Sequence, residues 1–178
     1  MKKIYWLFTL LFFVSGCAVQ GPMLFGNSQK QLTLSDLDEG CKKALPKTGK
    51  GRFGQVKVLA AVTQSGDQNN SLSVTARFVM TSFEIPEGIE GIVRYNGTLR
   101  YDPKTNILYF SKLQPENLTF GGDPSLQEYI SMAARQGIPP LVARILEGIP
   151  LYRMEEGFRA HVLQSVKVDK ENLLLQFR

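Results

Sequence analysis

The sequence predicts an α+β fold, a curved antiparallel sheet whose concave side needs a helix to fill it. Three observations lead there. Between Val56 and Leu113 apolar residues recur at every second position in four successive runs. From Leu126 to Leu146 they recur at helical spacing, and the second half is apolar over an arc wide enough to demand enclosure. A terminal hairpin then follows the helix, so strands flank it on both sides along the chain.

The N-terminus stands apart. Met1-Lys2-Lys3 is a short positive start, and Ile4 to Val14 is apolar except for Thr9. Such a run is too short to span a bilayer, and the small residues after it make residues 1–16 a secretory signal. Val14-Ser15-Gly16-Cys17 resembles the bacterial lipobox. That resemblance implies cleavage before Cys17 and acylation of Cys17, with palmitate among its chains. Each buried CH2 contributes about 0.8 kcal/mol, so two or three chains hold a protein on a membrane. Ala18, where retained lipoproteins carry Asp, implies by the same resemblance the outer membrane with the domain in the periplasm.

Residues 17–31 hold Gly, Pro, Gln and Asn without a sustained period and read as a lipidated tether. Residues 32–178 then make a single domain. Ser35 is placed to cap a first helix with Asp36, Asp38 and Glu39 in its first turn and Lys42 and Lys43 in its last, stopped by Pro46. Leu37, Cys41, Ala44 and Leu45 form its apolar stripe. Lys47 to Gly54 reads as a connector. Val56, Val58, Ala60 and Val62 share one face of the first strand, and Leu72, Val74, Ala76, Phe78 and Met80 one face of the second. Val93, Tyr95, Leu99 and Tyr101 mark a third strand. After the Asp102-Pro103 turn, Ile107 to Leu113 marks a fourth that runs on irregularly towards Phe120. Asp123-Pro124 opens the helical stretch, which Gly137-Ile138-Pro139-Pro140 interrupts or kinks before its end near Gly148. A short strand from Ile149 to Met154 and a short helix around Phe158 to Leu163 come next. The last hairpin faces Val166 and Val168 with Leu173, Leu175 and Phe177.

Composition narrows the function by exclusion. The formal net charge is +5, but Lys2 and Lys3 leave with the signal and the other basic residues are scattered, so no nucleic-acid surface is expected. If Cys17 is acylated, Cys41 has no partner, and its place on the helical stripe favours a buried thiol over a reactive one. His161 is the single histidine, and no nucleophile–base pair, phosphate loop or metal-ligand spacing surrounds it. The sequence therefore predicts a non-enzymatic protein without metal or cofactor.

The lipobox, the Leu32-Thr33-Leu34-Ser35-Asp36-Leu37 lead into a first helix, four long strands, an amphipathic helix and the ending Val166-Lys167-Val168-Asp169-Lys170-Glu171-Asn172-Leu173-Leu174-Leu175-Gln176-Phe177 form one ordered set. In that order they resemble the YceB-like periplasmic lipoproteins, a domain family of unknown function. The resemblance covers most of residues 32–178 and implies half of a tubular lipid-binding domain: a strongly curved antiparallel sheet wrapped around a long amphipathic helix, after an N-terminal helix. It brings no catalytic residues. On this reading Val74, Phe78, Met80, Tyr95, Leu99, Leu141, Ile145 and Leu146 are candidates to line a site for a lipid or other hydrophobic ligand. The same residues also suit a closed core. The loop from Phe83 to Gly91 sets Phe83, Ile85 and Ile89 at a strand connection, as a cavity mouth, a membrane contact or a packed loop. The alternative function is a structural or assembly adaptor that binds an envelope protein through a sheet edge or the terminal hairpin.

Overall fold

The computed structural model describes residues 28–66, 70–122, 130, 132–158 and 161–178. The signal, the lipobox and Cys17 lie outside the described residues, as does the Leu126 to Tyr129 part of the helical pattern.

Strands dominate, and they form two sheets rather than one. The larger is an antiparallel meander of β2 (Lys47–Gly51), β3 (Gly54–Ser65), β4 (Leu72–Thr81), β5 (Ile89–Asp102), β6 (Ile107–Phe120) and β7 (Tyr152–Arg153), in that order. The smaller places β1 (Ser28–Thr33) and β8 (Leu163–Asp169) on either side of β9 (Asn172–Phe177). Helix α1 (Leu34–Ala44) precedes the meander, and α2 (Met132–Glu147) packs on β2, β3 and β6. This corrects the expected fold class. Among the described residues no long amphipathic helix lies within a single wrapped sheet. Among the described residues, two short helices and a second sheet share the covering of the meander, and no barrel closes.

The local differences have local causes. Ser28 to Gln31, read as tether, is strand: the terminal hairpin leaves the outer edge of β9 bare, and β1 pairs along it from Ser28↔Phe177 to Thr33↔Asn172. Backbone bonding of this kind needs no apolar pattern, and only Leu32 is buried there. Lys47 to Gly51, read as connector, is the exposed edge strand β2, whose lysines suit an unpaired edge. Helix α1 is capped by Thr33, not Ser35. Thr33 Oγ1 accepts the Asp36 amide while the Asp36 carboxylate takes the Thr33 amide, satisfying two end groups at once. The register of β3 shifts between Val58 and Ala60, a bulge that turns the rest of the strand over. Ala61 and Thr63 therefore face inward, and Ala60 and Val62 outward. The inward Thr63 meets α1, where the Asp38 carboxylate accepts its amide at 2.8 Å and its hydroxyl at 2.6 Å. The predicted helix around Phe158 to Leu163 reduces to a 3-10 turn at Glu156–Phe158, and β8 already begins at Leu163.

The meander follows its period-2 pattern elsewhere. Leu72, Val74, Ala76, Phe78 and Met80 are buried, as are Val93, Tyr95 and Leu99. The Tyr95 hydroxyl donates to the Pro139 carbonyl at 2.7 Å, which ties the middle of the sheet to α2. That helix runs through Pro139 and Pro140, which cannot donate to the carbonyls four residues earlier. At Gly40 a Cβ would overlap the Leu151 carbonyl, so only glycine lets α1 approach the Ile149–Leu151 backbone.

The far end of β5 joins the sheets. Tyr101 and Phe177 meet edge to face with centroids 5.2 Å apart, and Phe158 packs on Phe177 at 5.0 Å. Asn106, in the β5–β6 turn with φ 61°, donates to the Met154 carbonyl at 2.6 Å and the Glu155 carbonyl at 2.9 Å. Its side-chain oxygen also receives the Tyr101 hydroxyl. Replacing Asn106 by Ala strands those groups where water reaches them poorly, and each uncompensated polar group costs about 1–3 kcal/mol. Urea denaturation of Asn106→Ala is expected to show a loss of about 3 kcal/mol. A loss within experimental error of zero would mean that the turn and the Met154–Phe158 segment hold without the Asn106 side chain, through packing, the Met154 amide bond to the Asn106 carbonyl and the Tyr101 hydroxyl bond to the Phe158 carbonyl.

Candidate ligand-binding cleft

The meander is open at its other end. The β2–β3 hairpin turns at Arg52 and Phe53, and β4 ends beside it at Met80 and Thr81. A loop from Ser82 to Gly88 then leads into β5. It is held by Ser82 N–H to Ile85 O at 3.2 Å, Ile85 N–H to Ser82 Oγ at 3.1 Å and Gly88 N–H to Ile85 O at 3.2 Å. Ile85 and Ile89 are buried, whereas Phe83 is fully exposed. The pinned loop thus buries one apolar side chain and holds another out in water.

Between these pieces and the start of α2 lies a cleft of about 790 Å³. Its described lining is Gly51, Arg52, Phe53 and Gly54 from the hairpin, Met80, Ser82, Phe83 and Glu84 from the second wall, and Ile130, Ala134 and Gly137 from the helical side. That volume falls within the usual range of small-molecule sites. Phe53 sits over Gly137, where a Cβ would overlap its ring, so the absent side chain is what seats Phe53 at the cleft wall. Phe53 and Phe83 supply the accessible apolar surface over the buried Met80, Ile130 and Ala134, and Arg52 and Glu84 put one charge of each sign on it.

Of the predicted site residues, the structure brings all eight together as buried core, and only Met80 also reaches the cleft. Val74, Leu99, Leu141, Ile145 and Leu146 fill the interior. Phe78 packs edge to face against Phe120 at 6.1 Å, and Tyr95 is engaged by α2. Sequence reasoning missed Arg52, Phe53 and the helical wall. The Gly- and Lys-rich hairpin carries no period, and the small residues Ala134 and Gly137 give no apolar signal. Met80 and the loop holding Phe83 were the legible parts.

His161 lies far from the cleft, beside β1. Its Nε2 is 3.3 Å from Ser28 Oγ and its ring lies against Phe158. Its Nδ1 is buried without a hydrogen-bond partner among the described residues. Cys41 is buried in α1, and burial, aided by the nearby Asp38 charge, pushes its thiol up to about 12. A thiol held protonated is a poor nucleophile. In a Cys17→Ser form, Cys41 is expected to resist alkylation at pH 8 until denaturant unfolds the domain; fast labelling of the folded protein would show an open route to α1. Because the folded-state pKa is raised, this group's stabilising contribution is full below about pH 9 and declines as pH rises towards 12.

No protein-family model matches the chain, and no curated protein is significantly similar to it.

Proposed function

We propose that this chain is a lipid-anchored protein of the bacterial envelope whose domain holds a hydrophobic ligand in the cleft between the β2–β3 hairpin, the Ser82–Gly88 loop and α2. The apolar cleft with a fully exposed Phe83 at its wall carries this reading. A bare aromatic ring in water is unfavourable, and capture of an apolar ligand removes that exposed surface. The lipobox ending in Cys17 supports the anchor, and Ala18 supports the outer membrane. The resemblance to the YceB-like lipoproteins now supports the envelope address alone, since the two-sheet architecture removes its fold expectation. No helix among the described residues is long and apolar enough to cross a membrane. The mechanism is sequestration: apolar burial drives capture, and the acylated Cys17 keeps the domain at the membrane.

A second reading, an adaptor that adds a strand to a protein partner, has one specific observation in its favour. β9 is flanked on both sides, but β8 is an edge of the smaller sheet, and Val162 just before it is exposed. Lys167 near the middle of that edge works against promiscuous pairing.

Two experiments test the proposal. Cys17→Ser is expected to abolish palmitate incorporation and release the protein from the membrane fraction; retention on membranes with label intact would overturn the anchor. A form beginning at residue 18, purified gently and examined by native mass spectrometry, is expected to carry a lipid of defined mass. Phe83→Asp should lose that lipid with its melting temperature unchanged, because the side chain contributes nothing to the core. A bare mass after incubation with envelope lipids, together with one stoichiometric protein recovered from intact envelopes, would favour the adaptor instead.

A further inference from the structure

The charges at the cleft point to the kind of ligand. Arg52 stands on the hairpin tip and Glu84 on the loop after β4, so the two reach the cleft from different elements. Among the described residues, neither makes an ion pair or hydrogen bond with the other or with a third side chain. A free fatty acid would pair its carboxylate with Arg52 and leave Glu84 unmatched, and a cationic amphiphile would pair with Glu84 and leave Arg52 unmatched. An uncharged ligand would leave both groups unused. A headgroup with both signs satisfies both walls, and a guanidinium is suited to phosphate because its planar fork presents paired donors. Apolar Phe53, Met80 and Ile130 meanwhile offer an acyl chain its surface.

We propose that the cleft takes a zwitterionic phospholipid of the phosphatidylethanolamine class, with Arg52 on the phosphate, Glu84 on the ammonium and an acyl chain against Phe53, Met80 and Phe83. This rests on the hydrophobic-ligand reading above and specifies its headgroup. Like charge across a binding surface is as selective as attraction, and Glu84 is the element that rejects purely anionic lipids.

The full chain in a nonionic detergent is titrated with three short-chain amphiphiles: a phosphatidylethanolamine, a phosphatidylglycerol and an uncharged monoacylglycerol. Native mass spectrometry reads each complex. Phosphatidylethanolamine is expected to bind about tenfold more tightly than phosphatidylglycerol, the scale of one charge-assisted hydrogen bond. Glu84→Gln should erase that preference, and Arg52→Gln should weaken both phospholipids about tenfold while leaving the monoacylglycerol unchanged. Both positions are exposed, so unchanged melting temperatures are expected to show that each variant is folded. Equal binding of the two phospholipids by the wild type, with the monoacylglycerol also bound, would overturn the headgroup assignment and leave the cleft reading standing. Failure to bind any of the three would overturn both.

Discussion

A mismatch of lengths governs this molecule. β5 and β6 are each fourteen residues long, about 46 Å of strand at ordinary rise, and their inner face is apolar along most of it. Helix α2 has sixteen residues, which is only about 24 Å. One such helix cannot cover one such sheet. The chain closes the rest of the far end with different material: the Ile149–Leu151 segment, the 3-10 turn at Glu156–Phe158, and the small sheet carrying Phe177. At the near end the described residues leave the cleft. The second sheet and the candidate site thus share one physical origin, apolar strand surface beyond the reach of α2.

That origin also explains which features were legible. β4, β5 and β9 bury alternate side chains, so their pattern is printed in the residues themselves. β1 and β2 exist because a neighbouring edge needs backbone partners, and a backbone partner can be any residue. Lys47-Thr48-Gly49-Lys50-Gly51 therefore carries no trace of its pairing with β3. The bulge after Val58 is equally silent: Ala60 and Val62 look like inward residues, and only the Thr63 contact with Asp38 shows why the strand turns over. Thr33 and Ser35 each have an aspartate three residues on, but Asp36 closes the box on Thr33 whereas the Asp38 carboxylate is taken by Thr63.

The site was harder to read than the fold for a related reason. A core announces itself by large apolar residues at a fixed period, and Val74, Phe78, Tyr95, Leu99, Leu141, Ile145 and Leu146 did so as interior. A cleft is defined by missing volume. Gly137 matters because it lacks the atoms that would displace Phe53, and Ala134 because it is small. Two cleft residues were visible beforehand: Met80 by its strand period, and Phe83 because it sits in a loop where an aromatic ring has no packing duty, two residues before the Ile85 that does.

The two ends of β5 place the candidate site relative to the chain's own path. Met80 pairs with Ile89 at the cleft end, whereas Tyr101 lies against Phe177, whose register partner is Ser28. Tyr101 lies twelve residue steps along the strand from Ile89, roughly 40 Å. The described chain therefore begins at the pole opposite the cleft. Ser28, where the described chain enters β1, and Phe83, the exposed ring of the cleft, thus lie towards opposite ends of the long strands.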